Sequence, residues 1–147
     1  MNLSGLKWPV IIGVIVLVGW LLTSSGVNFM FNKFTAGTPG VDVAQDARNE
    51  AGLSWLGKYS MMLFKYEKAL FIFEAGATRY PEGKNVWYNK YQMARCAEKL
   101  GDYRRSVALL RECMAVKAHE KDTRVPDNDS INYRVEKLIE VHELEAR

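Results

Sequence analysis

The sequence predicts an all-α chain: one transmembrane helix, then a small array of helical hairpins, then a C-terminal capping helix. Three observations predict it. No charged residue stands between Lys7 and Lys33, and 10–22 is almost wholly Val, Ile, Leu and Gly. Beyond Gln45 the chain consists of helix formers cut by three sets of turn residues, Pro81-Glu82-Gly83, Gly101-Asp102 and Val125-Pro126-Asp127. No run alternates apolar and polar residues between turn signals, so no strand is expected.

The anchor is expected over 1–33. About 20 apolar residues, rising 1.5 Å each, cross a hydrocarbon core of roughly 30 Å. Lys7 and Lys33 mark the two water boundaries, and Trp8 at one end and Phe29, Phe31 and Phe34 at the other suit the interfacial zones. Two other readings fit the stretch. Thr23-Ser24-Ser25-Gly26 after an apolar core would suit a cleavable secretory signal, and an apolar helix can also be a buried core helix. The length of the uncharged run favours a retained span. Gly13, Gly19 and Gly26 are candidate contacts for another membrane helix, although their spacing is not GxxxG and lipid-exposed glycine fits equally well. Lys7 and the free amine on one side, against Lys33 and the distant Arg48 on the other, lean toward an N-terminus in the cytoplasm. The chain is thus expected in a bacterial inner membrane with its C-terminal domain in the periplasm.

A linker follows over 34–49, where Thr35-Ala36-Gly37-Thr38-Pro39-Gly40 combines flexible and breaking residues. The soluble domain, 50–147, is expected to hold a long segment to Tyr80, helices over about 85–100 and 103–119, and a last one over about 129–146. Asp102 and Asp129 are candidate N-caps, since a carboxylate there accepts bonds from unpaired helix-start amides. The first acid is Asp42. Of 20 basic residues only Lys7 and Lys33 precede it, which leaves 18 basic against 17 acidic residues. A near-neutral domain does not suit nucleic acid, and none is expected as a partner.

Self-comparison adds a repeat. Tyr66-Glu67-Lys68-Ala69-Leu70-Phe71-Ile72-Phe73 aligns with Tyr103-Arg104-Arg105-Ser106-Val107-Ala108-Leu109-Leu110 at an offset of 37 residues. Ahead of them stand Leu56-Gly57 and Met93-Ala94, and Leu100-Gly101-Asp102-Tyr103 joins the second helical pair. With Leu53, Ala69, Phe73 and Pro81 in the first unit and Ser106 and Leu110 in the second, the pattern resembles the tetratricopeptide repeat, a pair of antiparallel helices per roughly 34 residues. The resemblance covers about 50–118 and implies two repeats, about 50–83 and 84–118. It departs from the family at Leu53, where Trp is favoured, at Ser60, where Tyr is favoured, and at Ala118, where Pro closes the unit. No Gly or Pro marks the turn of the first pair, only Leu63-Phe64-Lys65. A turn there is expected from the alignment, while the stripe Leu56, Tyr59, Leu63, Tyr66, Leu70, Phe73 and Ala77 would equally build one unbroken helix. Ile131, Val135, Leu138 and Val141, backed by Arg134, Lys137 and Glu140, form the amphipathic cap that repeat arrays need.

The sequence offers no catalytic, cofactor-binding or metal-binding set. Asp127-Asn128-Asp129-Ser130 lacks the glycine and distal Glu of a calcium loop, and His119 and His142 stand apart from any metal-ligand or nucleophile pattern. Cys96 and Cys113 fall on opposite helices of one hairpin, displaced along it by roughly 9 Å at 1.5 Å per residue. A disulfide needs alpha carbons within about 7 Å, so two free, mostly buried thiols are expected. The resemblance implies that Lys58, Met61, Met62, Tyr88, Tyr91, Arg95 and Lys99 face a concave partner-binding groove, where Met and aromatic surfaces with a few cations suit capture of a peptide or helix. Packing of half of them inside the domain is the competing reading. The expected function is a non-catalytic accessory or scaffold subunit of a larger membrane complex, with the bilayer and other subunits as partners. The alternative is a cytosol-facing, membrane-anchored receptor or adaptor for peptides or proteins.

Overall fold

The structure, a computed structural model, describes residues 4–144, with side chains from Lys7 onward. The first three residues of the expected anchor and residues 145 and 146 of the expected cap lie outside the described residues. Among the described residues there are eight helices and no strand: α1 Ser4–Leu22, α2 Ser24–Thr35, α3 Val43–Met62, α4 Tyr66–Arg79, α5 Val86–Lys99, α6 Tyr103–Ala115, α7 Ala118–Lys121 and α8 Asn128–Val141. The chain is all-α.

The expected uninterrupted anchor helix is corrected at Thr23, where α1 and α2 meet at 76°. The Thr23 hydroxyl donates to the Trp20 carbonyl at 2.6 Å and accepts from the Gly26 amide at 3.2 Å, which ends one helix and caps the next. Gly26 makes the elbow possible, since a Cβ there would lie 2.5 Å from the Trp20 carbonyl oxygen. Beyond the elbow, Val27, Met30, Phe31 and Phe34 recur at helical spacing and pack on Leu53, Leu56 and Ile72. The second half of the expected anchor is therefore the first layer of the domain. By length and apolarity no single helix of the described residues suffices to cross a membrane, and α1 with α2 pass only as this bent pair.

The irregular stretch is also shorter than the expected linker. It covers 36–42, and α3 starts at Val43, capped by Asp42 through the amides of Ala44 and Gln45 at 2.9 and 3.1 Å. Arg79 donates to the carbonyls of Thr35 and Gly37 and so ties the end of α2 to α4. From there each helix packs on the next: α2 on α3, α3 on α4, α4 on α5, α5 on α6 and α6 on α8, while α3 also touches α5. Most of the packing is thus between helices close in sequence.

Residues 63–65 do turn, so 43–79 forms two helices. Phe64 takes φ 58°, and the Lys65 amide reaches back to the Ser60 carbonyl at 3.0 Å. Gly101, at φ 82°, closes α5 in the same way, with the Asp102 amide on the Ala97 carbonyl at 2.9 Å. A left-handed residue other than glycine costs about 1–2 kcal/mol, and because Phe64 bears that cost here, no Gly or Pro marks the first turn in the sequence. Of the two expected caps, Asp102 caps α6 through the Arg105 amide at 3.1 Å, whereas Asp127 rather than Asp129 caps α8, through Ser130 at 2.7 Å. Asp129 sits inside the first turn of α8.

Close helix crossings rest on small residues. A Cβ on Gly57 would lie 2.6 Å from the Phe73 ring, and Ala69 and Ala94 are 0% and 1% exposed. Ala69→Leu or Ala94→Leu is expected to overpack its crossing by about 1–3 kcal/mol, against less than about 0.5 kcal/mol for Arg104→Leu on the exposed face of α6. Thermal melts decide it, and equal melting of all three would mean that neither alanine sits at a crossing. Buried polar ties lock α3 to the start of α5: Ser54 donates to Asn89 Oδ1 at 2.7 Å, and the Glu50 carboxylate accepts from the Asn85 amide.

Cys96 and Cys113 are free and fully buried. Burial pushes Cys96 up to about 12 despite the neighbouring Arg95, and burial aided by Glu112 pushes Cys113 up to about 11. A thiol reagent at pH 8 is expected to modify neither until the chain is unfolded. Because the unfolded chain has ordinary thiols, it loses their protons first above about pH 8.5, so stability should fall as pH rises from there toward 11–12. Rapid labelling of the folded protein at pH 8 would contradict this burial.

Candidate functional site

The concave surface is built by two helices whose spacing decides its lining. On α3, Lys58, Met61 and Met62 stand three and four residues apart, and on α5 Tyr88, Gln92, Arg95 and Lys99 follow at intervals of four, three and four. Each set covers one helix face. Their faces meet in a groove of about 240 Å³, closed by Tyr66 at the start of α4 and Arg134 from α8. Six of the seven expected groove residues line it. Tyr91 does not. It lies three residues from Tyr88, but its ring is turned into the core with Ala94, Val107, Leu110 and Ile131. There it also borders a second cavity, of about 500 Å³, between α5 and α8.

Three lining residues were not singled out from the sequence. Gln92 carried a usable signal, since it lies on the same α5 face as Tyr88 and Arg95. Tyr66 sits at the unmarked turn, and Arg134 comes from an element 35 residues beyond Lys99, where helical periodicity says nothing about contact.

The groove is positive. Lys58, Arg95, Lys99 and Arg134 line it, and no carboxylate is among its lining residues. Arg134 pairs with Glu98 at 2.8 Å, and Glu98 itself borders the neighbouring cavity. Arg95 donates to Gln92 Oε1 at 3.2 Å, a neutral partner, and among the described residues no ion pair holds it. Met61 is half-buried and Met62 is 69% exposed, so two flexible thioethers stand beside these cations. Burial raises the Tyr88 hydroxyl above its ordinary value against the pull of Arg124 and Arg95, so Tyr88 presents a neutral phenol. Such a surface can hold a segment that carries both carboxylates and apolar side chains.

The membrane-helix glycines divide. A Cβ at Gly13 or Gly19 would meet nothing within 4 Å, so both stand open on α1. Gly26 is corrected: it is filled by the backbone of Trp20 and Leu21 at the elbow and offers no notch to another helix. Large apolar side chains along α1 are uncovered, from Trp8 at 70% exposure to Leu22 at 45%. Among the described residues no group of three or more His, Cys, Asp and Glu could hold a metal ion. His119 donates from Nδ1 to the Val125 carbonyl at 2.6 Å, and His142 stacks on Tyr103 at 3.4 Å between ring centroids.

Comparison with family models, with curated proteins and with solved structures finds no match.

Proposed function

We propose that the chain is a membrane-anchored, non-catalytic scaffold subunit whose groove holds an acidic, partly apolar segment of another subunit of the same membrane complex. The observation that carries this reading is the place of the groove. Met62, on its lip, is three residues from Lys65, whose amine donates to the Leu22 carbonyl at the end of α1 at 2.9 Å. A groove next to the base of an uncovered apolar helix faces whatever chain leaves the membrane beside it.

α1 enters the bilayer in this reading. Its uncharged residues 8–22 rise about 22 Å, most of the roughly 30 Å of a hydrocarbon core, and its exposed Val, Ile and Leu side chains need an apolar solvent. The helices from α3 to α8 act as a short tetratricopeptide-type array, supported by neighbour-to-neighbour packing and by the small residues at its crossings. Tethering to the membrane raises the effective concentration of a partner segment without a tight intrinsic interface. The proposed orientation puts the domain in the periplasm of a bacterial inner membrane, and accessibility to an impermeant reagent tests it.

Charge reversal tests the groove. In gently solubilised native membranes, the Lys58→Glu/Lys99→Glu double variant is expected to lose the co-purifying subunit, because both side chains are exposed and their change leaves the core untouched. Arg104→Glu, a charge change of the same sign on α6, should retain it. Equal retention by both variants would remove the groove from the interface, and migration of the wild-type chain as a free monomer would count against the scaffold.

A further inference from the structure

α2 has two faces, and only one is used by the domain. Val27, Met30, Phe31 and Phe34 pack inward, while Phe29, two residues from Val27, is 58% exposed. Phe29 does not point at random solvent. Its ring lies 5.6 Å from that of Trp20 on the last turns of α1, so this face of α2 looks toward the side on which α1 departs. With α1 along the bilayer normal, the 76° elbow lays α2 nearly in the plane of the surface.

A second element reaches the same level. The Lys65–Leu22 contact brings the α3–α4 turn to the end of α1, and the turn holds Phe64 out at 78% exposure through its left-handed backbone. Glycine would satisfy that backbone without strain, as Gly101 does at the end of α5, so an exposed aromatic ring is kept where the main chain favours none. Each element carries a lysine at this level, Lys33 in the last turn of α2 and Lys65 at the end of the turn, while α2 holds no acid and one, Glu67, follows in the first turn of α4. Aromatic rings with an apolar body and lysines beside them suit the boundary between acyl chains and anionic headgroups.

We propose that α2 and the Phe64 turn form an interfacial seat on the lipid surface. Phe29 and Phe64 enter the headgroup boundary, Trp20 backs Phe29, and Lys33 and Lys65 meet lipid phosphates. The seat fixes the orientation of the domain, which a single flexible tether would leave free, and it holds the groove lip at Met62 close to the bilayer. The inference rests on the proposed anchorage by α1, and the experiment separates the two.

The full chain is reconstituted in vesicles of phosphatidylcholine and phosphatidylglycerol, with one cysteine introduced at a time and labelled with an environment-sensitive fluorophore. The native thiols are buried, so the label goes to the introduced site. Leu17→Cys reports anchorage, Phe29→Cys and Phe64→Cys report the seat, and Asp129→Cys on α8 is the exposed control separated from α2 by the array. Nitroxide lipids labelled close to the headgroup, at the roughly 5–10 Å depth of interfacial side chains, are expected to quench the labels at 29 and 64 about threefold more than the label at 129. Deep nitroxides should quench the label at 17. If 17 is quenched while 64 matches 129, the seat is overturned and the anchor stands. If 17 is not quenched by deep nitroxides, anchorage falls and the seat falls with it.

Discussion

Deletion of residues 1–22 is expected to move the chain from the membrane pellet to the supernatant after alkaline extraction, with the helical domain still folded. The stretch 8–22 contains ten Val, Ile and Leu residues. At about 0.3–0.6 kcal/mol each for insertion, they favour the bilayer by about 3–6 kcal/mol, a partition factor of about 10² to 10⁴. The cut falls at the elbow, so α2 keeps its Thr23 cap and its packing on Leu53, Leu56 and Ile72. A folded truncated chain that stays in the pellet would place the membrane attachment outside α1. The same preparation settles topology once a probe site is added, because Cys96 and Cys113 are too buried to report it. Val43→Cys, at a position 84% exposed, should react with an impermeant reagent from the periplasmic side. Protection until lysis would reverse the orientation and favour the cytosol-facing receptor.

Phe73→Ala is expected to cost about 3–5 kcal/mol, a large share of what a small domain has. Phe73 is fully buried, its ring lies against Gly57 of α3, and it meets Tyr88 of α5 edge-on at 6.3 Å and 80°. One side chain thereby wedges three helices, and its loss leaves a cavity between Gly57 and Tyr88. The coupling to Gly57 can be read separately. Gly57→Ala should destabilise the wild-type domain, because its methyl would sit 2.6 Å from the ring, and should cost less in the Phe73→Ala background. Additive effects in denaturant titrations would mean that the two helices do not touch there. A Phe73→Ala loss below about 1 kcal/mol would mean that the wedge is not part of the core.

The sequence by itself determined the helical class, the apolar start, most helix limits and the helix faces. Each follows from periodicity or from local backbone chemistry, which act over a few residues. Three and four residue spacing put Lys58, Met61 and Met62 on one side of α3, and Gly101-Asp102 stopped one helix and capped another. Only the tertiary structure decided the rest. Apolar composition cannot say which apolar partner a residue meets, so Phe29 and Phe31 read alike although one faces outward and the other packs on the domain. Tyr88 and Tyr91 are alike in type and in burial, and three residues of helix rotation send one to the groove and the Phe73 cluster and the other to the Ile131 cluster and the cavity beside α8. Thr23 and Phe64 turn the chain without Gly or Pro of their own, through a local hydroxyl cap and a left-handed aromatic, and the long-range tie between the two turns is the Lys65 amine on the Leu22 carbonyl. Where Gly26 lies against the preceding helix and Arg134 closes a groove begun at Lys58, the deciding contact is made across an elbow or across the array, beyond the range of any local pattern.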